Sequence, residues 1–424
     1  MRTREVTDAE LDKPLTPYPE ALAVISAALR PLRARTVTVS EAEDCILAAD
    51  VFARKDIPGF SNSAMDGYAV RSTDLAGATP ENPVTLPLKQ TILAGGPRPQ
   101  RLRKKTCSVI TTGAPMPPGA DSVVPFEEAR RVDQSWVAFI RESAPGKHVR
   151  PADDVVSKGT LLAKEGARLT PPLLGLLSQC GIARVKVHPR PSAALVVTGD
   201  EIVSPGEPLR FGTVYDANSV LMKTILNKAG CNVAWCKRVS DQRNYLEKAL
   251  RRALDRADLV CVTGGASVGP HDWAKEVVGD LLVWRVSLKP GKPFGLSLAD
   301  SNKPVLLLPG NPGSALAAFC AFGFDIVSIL SGRPRAGRLR CHIEGTAQSD
   351  SKRICVQPVR LKLEHTPALD TGSPSIVAVP VRPRSSASLM HFAEADGVAF
   401  IPQNWRPGQA VEVLPYPWWA PTWE

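Results

Sequence analysis

Ala193-Ala-Leu-Val-Val-Thr-Gly-Asp-Glu201 is a run of apolar residues that ends abruptly in a hydroxyl, a glycine and two acids. Such a run reads as a short strand buried on both faces. The same grammar returns twice downstream. Asp258-Leu-Val-Cys-Val-Thr263 runs into Gly264-Gly265, and Val305-Leu-Leu-Leu308 runs into Pro309-Gly-Asn-Pro-Gly-Ser314 and a long apolar helix. Between them, residues 218–228 read as a helix stopped by Gly230, and residues 232–236 as a strand. Asp241 can cap a helix with Leu246, Ala249, Leu250, Ala253 and Leu254 on one face. Buried strands alternating with amphipathic helices predict a three-layer, parallel α/β domain. Ligands of such sheets bind beyond the carboxyl ends of the strands, where these Gly-rich and acidic segments fall.

Each of those segments has a chemical reading and a plain one. Pro309-Gly-Asn-Pro-Gly-Ser314 offers free N–H groups at a helix start, which suits an anion; it is equally a tight strand-to-helix turn. Lys289-Pro-Gly-Lys292 puts two cations on a constrained loop that can clamp an oxyanion, or two solvated lysines. Thr263-Gly-Gly-Ala-Ser-Val-Gly269 lets a ligand approach the backbone, with Ser267 as donor and Asp272 as a metal ligand. Glu201 and Asp241 can bind Mg²⁺ or orient water.

Outside this stretch the rhythm differs. Residues 18–29 read as an Ala-rich helix with Pro19 in its first turn. Residues 35–150 read as strands and turns. Thr170 suits the cap and Gly181 the stop of a short helix that follows. Two strings there resist a local explanation: Asn62-Ser-Ala-Met-Asp66-Gly-Tyr-Ala-Val70, whose Asp-Gly favours a turn, and Thr111-Thr112-Gly-Ala-Pro-Met-Pro-Pro-Gly-Ala-Asp121. After about residue 332 short alternating strands predict a small β module, with residues 366–388 as a polar, Pro-rich loop.

Bulk properties narrow the class. An apolar fraction of 44% and a charged fraction of 22% over 424 residues are those of a multidomain globular protein. No signal-like segment opens the sequence, and the apolar residues 315–330 look too few to cross a bilayer. Nine scattered cysteines without a CxxC suit a reducing cytoplasm better than a disulfide framework. Isolated histidines give zinc little support. The formal charge of +10 points to acidic partners. The basic residues 98–105 lack interleaved aromatics, which argues against nucleic acid and leaves a solvated surface or a phosphate-bearing small ligand.

Taken in order, NSAMDGYAV, TTGAPMPPGAD, TGDE, TGGASVG with Asp272, KPGKP and PGNPGSA resemble the molybdopterin molybdenumtransferase family, which includes the gephyrin E domain. The resemblance spans nearly the whole chain. It implies an elongated four-domain subunit: residues 1–35 with 150–189, an inserted strand-rich domain at 36–149, the α/β domain at 190–332, and a C-terminal β-barrel-like domain at 333–424. It implies molybdate transfer to the dithiolene of adenylylated molybdopterin, with Mg²⁺-dependent release of AMP. It also implies a cytoplasmic homodimer whose site is shared between subunits, working beside other cofactor-biosynthesis or molybdoenzyme proteins and away from membranes.

By motif position the resemblance assigns Asp66, Glu201, Asp241 and Asp272 to catalysis, and Asp154, Glu201, Asp241 and Asp272 to the metal. Thr112, Gly264, Gly265, Ser267, Lys289, Lys292, Pro309, Gly310, Asn311 and Ser314 would contact substrate. Ser61, Pro270-His271 and Gly313 depart from the family pattern. They remove no named carboxylate or lysine, so activity is expected, with the choice of molybdate or tungstate left open. Two other readings stand beside it. A molybdopterin adenylyltransferase would resemble the α/β part alone. A silent scaffold would be expected to lose the acidic positions.

Overall fold

Strands with no polar face need cover on both sides, and the larger part of the fold follows from that. A computed structural model describes residues 14–265, 273–299, 302–364, 375–382, 385 and 387–420. The chain forms two compact units, one of Thr36–Glu43 and Ala49–Val185, the other of Met1–Arg35, Asp44–Ala48 and Lys186–Glu424.

The smaller unit holds a six-stranded sheet of β1 (Gly67–Val70), β2 (Val84–Ile92), β3 (Cys107–Ile110), β4 (Ser122–Pro125), β5 (Ala129–Arg131) and β6 (Trp136–Phe139), in the order β4-β1-β3-β2-β6-β5. Tyr68, Val70, Leu86, Val124 and Phe139 fill its core. The chain bends over residues 64–66 as the Asp-Gly pair suggests, and Gly67 already opens β1. A Cβ on Gly67 would stand 2.2 Å from Val124 O, so glycine is needed there for close strand approach. The short helix Pro171–Gln179 begins after Thr170 as expected, but the Thr170 side chain makes no capping bond.

In the larger unit the α/β sheet comprises β7 (Ser192–Thr198), β8 (Asn232–Val239), β9 (Leu259–Thr263), β10 (Leu281–Trp284), β12 (Gly295–Ala299) and β13 (Lys303–Leu308), with the two-residue β11 (Leu288–Lys289) outside it. The order is β8-β7-β9-β13-β12-β10. The first four strands are parallel, as the apolar runs predict. The edge pair β12 and β10 is antiparallel, an addition to the expected all-parallel sheet. Helices α1 (Tyr18–Ala28), α2 (Asn218–Ala229), α3 (Arg243–Leu254), α4 (Ala274–Val278) and α5 (Pro312–Leu330) complete the layers. Alternate residues of β7 go to opposite cores. Ala193, Leu195 and Val197 join Ile25, Met222, Ile225 and Phe319 on one face. Ala194 and Val196 meet Leu246, Ala249, Leu250 and Ala253 of α3 on the other. That period of two is the pleat itself.

The apolar residues 315–330 belong to a longer element than expected. Helix α5 has 19 residues, enough by length and composition to span a bilayer, but it is almost wholly buried inside the protein. One turn of it, Phe319–Gly323, is a π-helix. A Cβ on Gly323 would lie 2.4 Å from the Phe319 ring, so only glycine lets that ring fold back. All nine cysteines are free thiols, and all but Cys236 are buried.

The C-terminal module contains β14 (Leu339–Ile343), β15 (Ile354–Glu364), β16 (Ser375–Pro380), β17 (Gly397–Ile401) and β18 (Val411–Pro415). They close into a barrel, because β15 pairs with both β16 and β17. The loop expected over 366–388 is therefore interrupted by β16, while residues 366–374 lie outside the described residues. β11 adds to the outside of this barrel, Lys289 beside Cys355, so the α/β domain and the barrel share one strand pairing.

Candidate active site

The parallel strands β7, β9 and β13 end at Thr198, Thr263 and Leu308, and their following loops crowd together. Gly264 has φ +89°, and a Cβ there would lie 2.3 Å from Thr198 O. No side chain fits that approach, so the glycine is dictated by packing. A Cβ on Gly310 would come within 3.5 Å of Gly264 Cα. Beside these loops lies a cleft of about 860 Å³, lined wholly from the larger unit.

Its acids come from the loop after β7, from Asp216 just before α2, and from the turn before α3. Asp241 accepts a hydrogen bond from the Thr198 hydroxyl, through Oδ1, and from the Asp200 N–H at 3.2 Å through Oδ2. The Asp241 N–H donates back to Asp200 Oδ1 at 3.3 Å. Asp241 is thus not the cap of α3: that position is Gln242, with no side-chain capping bond. The Glu201 carboxylate lies over Gly199, where a Cβ would come within 2.8 Å of Oε2.

The cations come from β11 and the turn after it, Lys289 and Lys292, and from Arg353 just before β15. Lys289 Nζ lies 3.4 Å from Asp350 Oδ2, and Arg353 NH2 lies 3.0 Å from the same oxygen. Asp350 is held down at about 2, chiefly by the Lys352 N–H and then by Arg353 and Lys289. The Lys292 ammonium is pushed below the ordinary lysine range by burial, and further by Arg285 and Arg353. The Pro309–Pro312 turn and Ser314 complete this side at the head of α5.

Ten of the residues singled out in the sequence line this one cleft: Glu201, Asp241, Gly264, Gly265, Lys289, Lys292, Pro309, Gly310, Asn311 and Ser314. Ser267 and Asp272 lie outside the described residues. Asp66, Thr112 and Asp154 belong to the smaller unit. There Asp66 Oδ1 accepts from the Thr112 N–H at 2.6 Å and the Thr112 hydroxyl at 3.0 Å. These bonds hold the exposed carboxyl below its usual range. Asp154 pairs loosely with Arg150 at 4.0 Å. Sequence reasoning misses Tyr215, Asp216, Asn218 and Arg353, which also line the cleft with Thr198. Asn218 reads only as a helix start, and Arg353 sits in a segment with no motif.

Among the described residues no three His, Cys, Asp or Glu side chains converge as a metal cage. Mg²⁺ does not require one. It binds through one or two carboxylates, keeping waters and taking substrate phosphate oxygens for the rest. Glu201 and Asp241, hard oxygen donors beside a side-chain-free Gly199, fit that demand.

Three family models match the chain in succession: "MoeA N-terminal region (domain I and II)" over residues 16–181, "Probable molybdopterin binding domain" over 194–328, and "MoeA C-terminal region (domain IV)" over 336–416. The molybdopterin molybdenumtransferase 2 of Mycobacterium tuberculosis strain H37Rv is 34% identical over 390 residues, covering 90% of this chain and 94% of that protein. The molybdopterin molybdenumtransferase of Haemophilus influenzae is 36% identical over 72% of this chain and 74% of its own. The crystal structure of a molybdopterin biosynthesis MoeA protein from Pyrococcus horikoshii superposes with a TM-score of 0.77 at 29% identity, over 96% of this chain and 100% of that one. On a domain series matched from end to end, and on relatives this similar over nearly their full length, the chain is an enzyme of the molybdopterin molybdenumtransferase family.

Proposed function

We propose that this enzyme inserts molybdenum in cofactor biosynthesis, transferring molybdate to the dithiolene of adenylylated molybdopterin with Mg²⁺-dependent release of AMP. The observation that carries the reading is a single cleft in which three carboxylates, two lysines, an arginine and a Gly-rich turn meet. Molybdate and phosphate are both tetrahedral oxyanions, so Lys289, Lys292 and Arg353 suit either. Glu201 and Asp241, with Asp272, would hold Mg²⁺, which supplies charge neutralisation at a phosphoanhydride. The protein's own part is to orient the substrates. Asp241 is fixed by Thr198 and the Asp200 N–H before any ligand arrives, and Gly264, Gly265 and Gly310 leave room for a ligand against backbone.

The same reading makes the enzyme a cytoplasmic homodimer. Each copy would lend Asp66, Thr112 and Asp154 to the cleft of the other, and the product would pass to a molybdoenzyme or a later enzyme of the route. Free buried thiols such as Cys107, pushed up to about 12 by burial, suit a reducing compartment. The test is AMP release from adenylylated molybdopterin by the purified chain with Mg²⁺, with and without molybdate. Release that molybdate stimulates supports transfer. Tight binding without release would favour a binding or scaffold role. Mixing Asp66→Ala with Asp241→Ala tests the sharing: recovery toward a quarter to a half of wild-type release is expected, and no recovery would place both residues in the same copy's site.

A further inference from the structure

One buried polar side chain at the cleft has no place in the reading above. Asn218 is 4% exposed and belongs to the lining of the cleft. Its Nδ2 donates to Gly310 O at 2.7 Å. That bond settles which way round the amide sits, because only the NH₂ end can face a carbonyl. Oδ1 is then left buried, with no hydrogen-bond partner among the described residues. Folds rarely keep such an acceptor without a reason.

Helix capping is not the reason. Asp216 already serves the first turn of α2, accepting from the Ser219 N–H at 2.9 Å and the Ser219 hydroxyl at 2.5 Å. What the Asn218 bond does control is a peptide plane. The Gly310–Asn311 bond is not among the cis peptides, and in a trans peptide the C=O and the N–H point in opposite directions. With Gly310 O drawn inward to Asn218, the Asn311 N–H is turned outward. Both Gly310 and Asn311 are exposed and line the cleft, so an N–H turned away from Asn218 is available to a ligand there. Among the described residues this N–H has no protein acceptor. Untethered, the plane could flip and present a carbonyl oxygen where an oxyanion must sit. Pro312 next in the chain has no N–H to replace the one lost.

We propose that Asn218 is a positioning residue: by holding Gly310 O it keeps the Asn311 N–H aimed at a tetrahedral oxyanion in the cleft. The proposal rests on the anion-binding reading of the cleft and adds a residue to it. The ligand oxygen is either that of molybdate or that of the nucleotide phosphate, and the experiment separates them.

Full-length wild-type, Asn218→Ala and Asn218→Asp proteins are titrated calorimetrically with molybdate alone and with AMP alone, beside thermal unfolding. Both variants are expected to weaken at least one of the two anions roughly tenfold or more, the scale of one hydrogen bond to a charged group. Asn218→Ala should keep its Tm within about 2 °C, because it removes an unsatisfied acceptor together with the bond. Loss of AMP binding alone assigns the N–H to phosphate, loss of molybdate binding alone to the metal oxyanion, and loss of both to a shared position. A lowered Tm with unchanged affinities makes Asn218 merely structural and overturns the proposal. Wild-type protein that binds neither anion overturns the anion reading itself. Should the variants fail to fold, selective ¹⁵N-asparagine labelling of the wild-type chain gives the same answer. The Asn311 amide resonance should move on addition of the bound anion, and a stationary resonance counts against the proposal.

Discussion

The acidic and basic halves of the cleft are built on different principles. Asp241 is complete before a ligand comes, with one carboxylate oxygen taken by Thr198 and the other by the Asp200 N–H. The basic half crowds like charges together. Lys292 is partly dehydrated and pressed by Arg285 and Arg353, while Lys289 and Arg353 share the single acid Asp350. Geometry is thus stored on one side and electrostatic tension on the other. The first suits orientation of a reacting group; the second suits capture of a dianion, whose arrival relieves it.

This division can be broken by experiment. The largest effect is expected from Asp241→Ala, which should slow AMP release about 100- to 1000-fold while molybdate affinity changes less than about threefold. Equal loss of both would mean that the halves do not divide the work. Next comes Lys292→Met, for which calorimetry should show molybdate binding weakened roughly 10- to 100-fold. Lys292→Arg should restore little, because a planar fork does not replace a point charge in a confined turn.

The pH dependence sharpens the contrast. The folded-state pKa of Lys292 lies below that of an ordinary lysine, so the free protein loses this charge at a lower pH than an unfolded chain would. Binding needs the charged form. Affinity for molybdate should therefore fall as pH rises through the lowered value, by at most about tenfold per unit. Protons should be taken up on binding in the window between the lowered and ordinary values. Lys292→Met should flatten that slope. The smallest effect is expected for Asp350→Asn, which releases Lys289 and Arg353 from their shared acid. Molybdate should bind about two- to fivefold tighter, as for the loss of a partly exposed ion pair; weaker binding would show that Asp350 orients the cations rather than restraining them.

Legibility in the sequence followed the length scale of the cause. Strands such as Ser192–Thr198 and Leu259–Thr263 are readable because burial on both faces leaves an unbroken apolar run. The edge strands Leu281–Trp284 and Gly295–Ala299 are short and split by the Lys-Pro-Gly-Lys turn, so nothing local marks them as a pair. Gly67 looks like a turn residue because Asp-Gly usually is one; the demand it meets comes from Val124, far along the chain. The site divides in the same way. Gly-rich and acidic strand ends announce themselves, since their composition is the constraint. Arg353 joins the cleft only because β11 lies against β15, and Asn218 matters only through Gly310. Both are tertiary facts with no local signature.

The composition of the lining has a consequence of its own. Among the described residues around the cleft there is no cysteine, histidine or methionine, and the protein's buried thiols sit elsewhere, with Cys261 and Cys320 driven upward in pKa by their surroundings. In the language of hard and soft ligands, these walls offer a metal only oxygen and nitrogen. A transition metal entering as an oxyanion would find no soft donor among those described residues to detain it. On the function proposed above, any sulfur brought in by the other ligand would be the soft partner that those described walls do not supply, and what the cleft withholds would favour transfer in that direction.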